Sequence, residues 1–428
     1  MEGNLIIKNA AELVTVGGGS QPKRGTAMGD LGIISDGALV IENGIITRVG
    51  KTDEVLPGLD EAAFSVIDAT GRAVLPGFVD AHTHFVFGGF RAEEFSWRMR
   101  GDTYMEIMER GGGIVNSVEA TRNATKEQLI GSGKKRLDSM LSFGVTTVEG
   151  KSGYGLDLRT ELKQLEVMGE LNAVHPVDIV PTYLGAHTVP REFEGDSDGF
   201  IDYLIRDSLP EVARLKLAEF CDVFCEKGVF TIEQSRRLLE VARSRGLKLK
   251  IHADEMTDLG GAALAAELGA VSADHLLYAS DKGIEAMSRA GVVAVLLPGT
   301  AFSLKEPYAR ARFMIDSGCA VALATDMNPG SCFSESIPLI FALATLYMGM
   351  TPEEAVTALT INGAAAIGKA ERIGSLEVGK AGDAVVLEFP SYLYIPYHVG
   401  VNSVDKVIKS GNLIVDKSEK GDWICYQI

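Results

Sequence analysis

The sequence predicts an α/β protein: a (β/α)8 barrel of the TIM type, carrying a small β-sandwich assembled from the two ends of the chain. Three observations lead there. Across residues 73–373, strand-like runs alternate with helical periodicity, the pattern of a parallel sheet covered by helices. Residues 1–72 and 374–428 instead hold short β-prone runs separated by turn signals. Histidine is scarce, with seven in 428 residues, and five of the seven fall on the face where the predicted strands end. That is the face on which such barrels carry their functional side chains.

Taken in order, residues 5–7, 38–41 and 45–49 are β-prone, and Asn43-Gly44 joins the last two. Asn-Gly between apolar runs is the strongest short hairpin signal, because both central residues of a type I′ turn need positive φ. A matching pattern returns at 382–389 and 404–415, with a turn expected at Gly411-Asn412, so the two ends are expected to meet in one sandwich. The eight barrel strand candidates are 74–84, 145–149, 177–184, 223–225, 248–253, 270–277, 292–297 and 321–326. Helical periodicity fills the gaps, at 126–143, 159–173, 232–245 and 259–268, and again at 352–367 after the last strand. A doubly wound open sheet is the alternative, and no G-x-G-x-x-G follows the first strand to support it.

Composition limits the function classes. The chain is 46% hydrophobic and 23% charged, enough to bury a large core. Its 41 basic and 58 acidic side chains give a net charge of −17, which disfavours nucleic acid and anionic membrane surfaces as partners but leaves room for a local cationic pocket. No basic leader with a long apolar region opens the sequence and no apolar run approaches a membrane span, so a cytoplasmic protein with no membrane contact is expected. The five cysteines, Cys221, Cys225, Cys319, Cys332 and Cys425, form no C-x-x-C pair. Neither a disulfide framework nor a thiolate metal site is suggested.

The site candidates follow from the histidines. In extended chain, alternate side chains share a face, so His82 and His84 converge on one point and can grip one cation. His252 near the end of the fifth strand and Asp326 at the end of the eighth complete a set of nitrogen and oxygen ligands suited to zinc, iron or manganese. His275 is placed one strand further on, to orient a nucleophile or hold a developing oxyanion; alone it would equally be a buried, hydrogen-bonded histidine. Glu255, three residues after His252, can pass a proton to a substrate nitrogen, and Asp254 competes for that role. His175 and His398 lie off the face and read as structural or solvated.

Pro76-Gly-Phe-Val-Asp-Ala-His-Thr-His84, His252-x-x-Glu255, His275, Asp326 and Gly374-Ser-Leu-Glu-Val-Gly-Lys-Ala-Gly-Asp383 resemble the amidohydrolase superfamily across nearly the whole chain. A second group of motifs is narrower: Phe85-Val-Phe-Gly-Gly-Phe-Arg91, Gly111-Gly-Gly-Ile114, Glu149-Gly-Lys-Ser-Gly-Tyr-Gly155, Leu184-Gly-Ala-His187 and Thr325-Asp-Met-Asn-Pro-Gly-Ser331. These resemble the branch of that superfamily that opens the ring of 4-imidazolone-5-propanoate with water, giving N-formimidoyl-L-glutamate in histidine degradation. The resemblance implies one metal ion, zinc or iron, held by His82, His84, His252 and Asp326, with Glu255, His275 and Asp326 in catalysis. It also implies a pocket for a small, carboxylate-bearing substrate lined by Arg91, Tyr154, His187, Glu255, Asn328, Gly330 and Ser331, and a homodimer. An arginine fork suits a propionate carboxylate.

Two other readings share these residues. Hydrolytic deaminases of aminated heterocycles use the same histidine and aspartate constellation, but a neutral base does not call for a carboxylate clamp at Arg91, Tyr154 and His187. A non-catalytic scaffold barrel is disfavoured by the intact ligand set. Glu226 and Lys227, just past the fourth strand where two-metal relatives place a modified lysine, read as structural, in keeping with a single ion.

Overall fold

Eight parallel strands follow one another in sequence order around a single sheet in the computed structural model, which describes residues 3–102, 106, 110 and 112–417. Numbering all strands in chain order, these are β8 (Phe78–Asp80), β9 (Val145–Lys151), β10 (Asp178–Ala186), β11 (Phe220–Cys225), β12 (Lys248–Ala253), β13 (Ser272–His275), β14 (Val293–Leu296) and β15 (Ala320–Leu323). The cylinder closes just beyond the ends of β15 and β8. There the Asp326 N–H donates to the His82 carbonyl at 3.0 Å and the His84 N–H to the Met327 carbonyl at 2.9 Å. Asp80 reinforces the seam, accepting from the Thr325 N–H at 2.9 Å and the Thr325 hydroxyl at 2.6 Å. Gly111 and Cys425 lie outside the described residues; Cys221, Cys225, Cys319 and Cys332 are buried free thiols.

The helices around the cylinder start where their caps say. Thr125 with Gln128 opens Lys126–Ser142, Thr231 with Gln234 opens Ile232–Ser244, and Thr351 with Glu354 opens Pro352–Ala358, each pair satisfying two otherwise orphaned donors. The helix expected over 352–367 is two pieces, Pro352–Ala358 and Ile361–Ala366. Thr360 leaves helical geometry at ψ −99° and its hydroxyl donates back to the Val356 carbonyl at 2.6 Å. Among the described residues, no helix is long and apolar enough to cross a membrane.

The continuous strand expected over 74–84 divides at Gly77. Ala73–Pro76 (β7) pairs antiparallel with β16 (Ala384–Leu387) and parallel with β2 (Glu12–Val14), outside the barrel, and the chain then enters β8 directly. A Cβ at Gly77 would lie 2.3 Å from Thr146 Oγ1, so only glycine lets the strand pass this close to β9.

The remaining strands form two sheets. One runs β5-β4-β1-β6, from Ile45–Lys51, Gly37–Glu42, Leu5–Ala10 and Ser65–Asp68. The other runs β18-β17-β16-β7-β2-β3 and adds Asn412–Asp416, Val404–Lys409 and Ile33–Ile34. Leu5, Ile7, Leu39 and Ile41 from the first sheet pack with Val74, Ala384, Val386 and Ile408 from the second in one small core. Asn43 and Gly44 turn the β4–β5 hairpin at φ 51° and 79°, as expected. The C-terminal hairpin turns one residue earlier than expected, at Ser410 and Gly411, and Asn412 already opens β18. His175 is buried between Asp138 and the Val177 N–H, whereas His398 is exposed.

Candidate metal centre

The mouth of the cylinder gathers the histidines. His82 and His84 follow β8 on either side of Thr83, His252 lies in β12 and His275 ends β13, while Asp326 follows β15. All five are buried. Two overlapping triads have ligand atoms within 4.8 Å of one another: His82, His84 and Asp326, and His82, His252 and His275. Asp326 Oδ1 stands 3.5 Å from His82 Nε2 and 3.6 Å from His84 Nε2. Donors held about 2.0–2.1 Å from one tetrahedral ion are about 3.3 Å apart, so these spacings suit a shared cation.

The polar accounting points the same way. His82 Nδ1 is 2.7 Å from Asp274 Oδ2 and His252 Nδ1 is 2.9 Å from Asp222 Oδ2. An ionised carboxylate only accepts, so the hydrogen bond to Asp274 puts the His82 ring proton on Nδ1 and turns a bare Nε2 toward the centre; the Asp222 carboxylate lies beside His252 Nδ1 without a hydrogen bond to it. Both Nε2 atoms are buried without a protein partner. Burial holds His82, His84 and His275 well below the ordinary histidine range, neutral and ready to ligate. For His252 burial acts in the same direction, but the Asp222 carboxylate outweighs it and the pKa rises, so a cation there competes with a proton. Asp326 Oδ2 accepts the Thr300 hydroxyl at 2.6 Å, which leaves Oδ1 for the centre. These residues fit a metal ion.

Around the centre stand the other predicted residues. Glu255 Oε2 is 3.5 Å from His275 Nε2, and burial, with the Asp326 carboxylate adding to it, pushes the Glu255 carboxyl up to about 8. Asp254 turns away at φ 50° and accepts the N–H groups of Leu259, Gly260, Gly261 and Ala262, fixing the start of the next helix. Geometry thus separates the two carboxylates: Asp254 is committed to the backbone of the next helix, and Glu255 stands beside His275. His275 and Leu276 both adopt positive φ, 77° and 62°, a strained pair at the site.

His187 stacks on His84 with ring centroids 5.1 Å apart, and Tyr154 meets both rings, at 5.8 Å from His84 and 5.4 Å from His187. Arg91 donates through Nε to Glu94 at 2.7 Å, and its guanidinium lies against Gly330, where a Cβ would sit 2.1 Å from Nη1. Asn328 is turned inward on its own loop, donating to the Asp326 carbonyl and the Ser331 hydroxyl and accepting from the Gly330 and Ser331 N–H groups. It shapes the loop that presents Gly330 and Ser331. Glu226 accepts from the Met256 and Thr257 N–H groups and Lys227 is exposed, so both are away from the centre.

An amidohydrolase family model matches residues 73–414. The imidazolonepropionase of Clostridium tetani is 60% identical over 417 residues, covering 97% of this chain and 99% of that protein. The imidazolonepropionase of Parabacteroides distasonis is 61% identical over 409 residues, covering 96% and 98%. The chain belongs to the imidazolonepropionase family of amidohydrolases. Among solved structures, this amidohydrolase resembles a triazine hydrolase variant (TM-score 0.74, 17% identity, 99% of this chain and 97% of that one). It also resembles a zinc-bound adenosine deaminase from Xanthomonas campestris (TM-score 0.68, 18% identity, 98% and 94%). At such identities the likeness is one of fold.

Sequence reasoning assigned no role to the charged groups under the candidate metal centre of this amidohydrolase. Glu149, Lys151, Asp222, Lys250 and Asp274 are fully buried inside the barrel. A signal was present: Glu149 with Lys151, and Lys250 with His252, sit at i and i+2 within strands, and so share the inward face. A third acceptor cluster, His82 with Glu149 and Asp274, is taken up by the Lys151 and Lys250 ammonium groups.

Proposed function

We propose that the chain hydrolyses the ring amide of 4-imidazolone-5-propanoate to N-formimidoyl-L-glutamate, a step of histidine degradation. The observation that carries this reading is the 60% identity to an imidazolonepropionase over 97% of the chain, with the buried histidine and aspartate cluster supplying the chemistry.

His82, His84, His252 and Asp326 would hold one zinc or iron ion. When bound, such an ion supplies Lewis acidity, polarising a carbonyl oxygen and letting water ionise near neutral pH. The chain's own groups do the rest. Asp326, its carboxyl raised to about 6 by burial, accepts the proton that water gives up. His275 faces the oxygen of the ring carbonyl and stabilises the charge that develops there. Glu255, protonated at neutral pH, donates to the leaving ring nitrogen as the C–N bond breaks. Arg91 pairs with the propionate carboxylate, and Tyr154 and His187 hold the ring by hydrogen bonds. Burial pushes His187 down to about 3, and its Nδ1 donates to the Gly153 carbonyl at 3.0 Å, so it serves as a neutral partner with Nε2 available.

The test is direct. The purified protein loaded with zinc or iron should consume imidazolonepropanoate, followed by its ultraviolet loss, and lose that activity to a chelator. Release of ammonia from aminated heterocycles with no consumption of imidazolonepropanoate would overturn the reading.

A further inference from the structure

We propose that Lys151 is a positioning residue that sets two metal-binding histidines at once through a single ammonium group. The argument rests on the metal reading above and deepens it. Lys151 ends β9 with its side chain fully buried beneath the centre. Its Nζ lies 2.7 Å from Asp222 Oδ2 and 3.4 Å from Asp274 Oδ2. Of those same two oxygen atoms, the first lies 2.9 Å from Nδ1 of His252 and the second is hydrogen-bonded, at 2.7 Å, to Nδ1 of His82. One cation thus bridges the orienting carboxylates of ligands that lie 170 positions apart in the chain, at residues 82 and 252.

The backbone of the same residue completes the arrangement. The Lys151 N–H donates to the carbonyl of Thr83, the residue between His82 and His84, at 2.9 Å, and the Thr83 hydroxyl donates to the Glu149 carbonyl at 2.6 Å. The end of β9 therefore grips the paired histidines from the main chain and two ligand-orienting carboxylates from the side chain.

A buried lysine among carboxylates can also be mere charge compensation, and Lys250 provides the comparison. It is equally buried, and its Nζ contacts Glu149 Oε2 at 2.9 Å and the Ala81 carbonyl at 3.1 Å. It stands 3.8 Å from Asp274 Oδ2, and its ion pairs do not include Asp222. Both lysines carry the same charge at the same depth. Only Lys151 joins the two histidine partners.

Removing a group that orients a metal-binding histidine weakens metal affinity by about 10–100-fold. The experiment compares the wild type, Lys151→Met and Lys250→Met by zinc competition against a chromophoric chelator, with thermal melting of each as the measure of folding. The expected result is zinc affinity 10–100-fold weaker in Lys151→Met than in Lys250→Met. Equal weakening in the two variants, or unchanged affinity in Lys151→Met, would reduce Lys151 to charge balance and overturn the proposal. Should Lys151→Met fail to fold, the pair K151M/E149Q removes one cation and one carboxylate together, keeps both histidine partners, and is read in its place by the same criterion. A wild type that takes up neither zinc nor iron would overturn the metal reading along with this one, and so is distinct from a failure of Lys151 alone.

Discussion

Asp326 donates its backbone N–H to the carbonyl of His82 at 3.0 Å, and its carboxylate Oδ1 stands 3.5 Å from Nε2 of the same histidine. The residue that closes the cylinder thus also brings its carboxylate to the candidate metal centre. Asp326 reaches this position at φ 51°, a left-handed conformation that aspartate tolerates better than most residues.

Asp326→Ala should therefore strip the centre rather than the fold, because the backbone bond across the seam survives. Metal content measured by elemental analysis should fall below one equivalent, and kcat/KM by at least about a hundredfold, given what loss of even an outer partner costs. Retention of both metal and turnover would remove Asp326 from the ligand set.

Glu255 gives a pH signature. Its carboxyl is raised from an ordinary 4.5 to about 8 by burial, so it is protonated through neutral pH and gives up its proton as pH rises past that value. A donor is lost on that limb, so kcat should fall above about pH 8. Glu255→Gln should lower kcat by about 10²–10⁴-fold, keep its metal, and lose the alkaline limb. A limb that persists in the variant belongs to another group.

Gly330 tests the carboxylate arm without touching the metal. An alanine Cβ there would sit 2.1 Å from Arg91 Nη1 and 2.9 Å from Cζ, so the guanidinium must swing aside. Because the displaced atoms end a flexible side chain, Gly330→Ala should melt within about 1 kcal/mol of the wild type. KM for imidazolonepropanoate should rise about tenfold or more, the cost of weakening one charge-assisted pair. A KM that does not move would place the substrate carboxylate elsewhere.

Glu161 holds the loop that carries Tyr154. Its buried carboxylate accepts from the N–H groups of Gly153, Gly155 and Leu156, while Gln164 accepts from Tyr154. Replacing it with glutamine turns one acceptor oxygen into a donor facing donors. Glu161→Gln should cost about 1.5–3 kcal/mol of stability by chemical denaturation and raise KM, since His187 hangs from the Gly153 carbonyl of the same loop. Unchanged stability would mean that the loop is held by other contacts.

The clustering of the histidines and the barrel were legible in the sequence because two simple periodicities, alternation along a strand and strand-helix repetition, place polar groups at one end of a cylinder. The strand division at Gly77 was legible only in part: Pro76-Gly77 is a break signal in the sequence, but the approach of Thr146 that enforces the division comes from far off in the chain. The choice between Asp254 and Glu255 hung on one backbone angle, the φ of 50° at Asp254, which local pattern does not encode. Glu149 and Lys151 stood out only as part of a motif, with no role of their own, and Asp222, Asp274 and Lys250 escaped notice because a lone charge within an apolar strand reads as an interruption. Only the assembled barrel brings lysines from β9 and β12 against carboxylates from β9, β11 and β13.

The run from β7 through Gly77 into β8 has a bearing on how the molecule is made. As the chain leaves the ribosome, Ala73–Pro76 emerges early, yet its antiparallel neighbour Ala384–Leu387 is synthesised only after the entire barrel. The lead-in to His82 and His84 therefore waits, open on one edge, until every strand of the cylinder has been made.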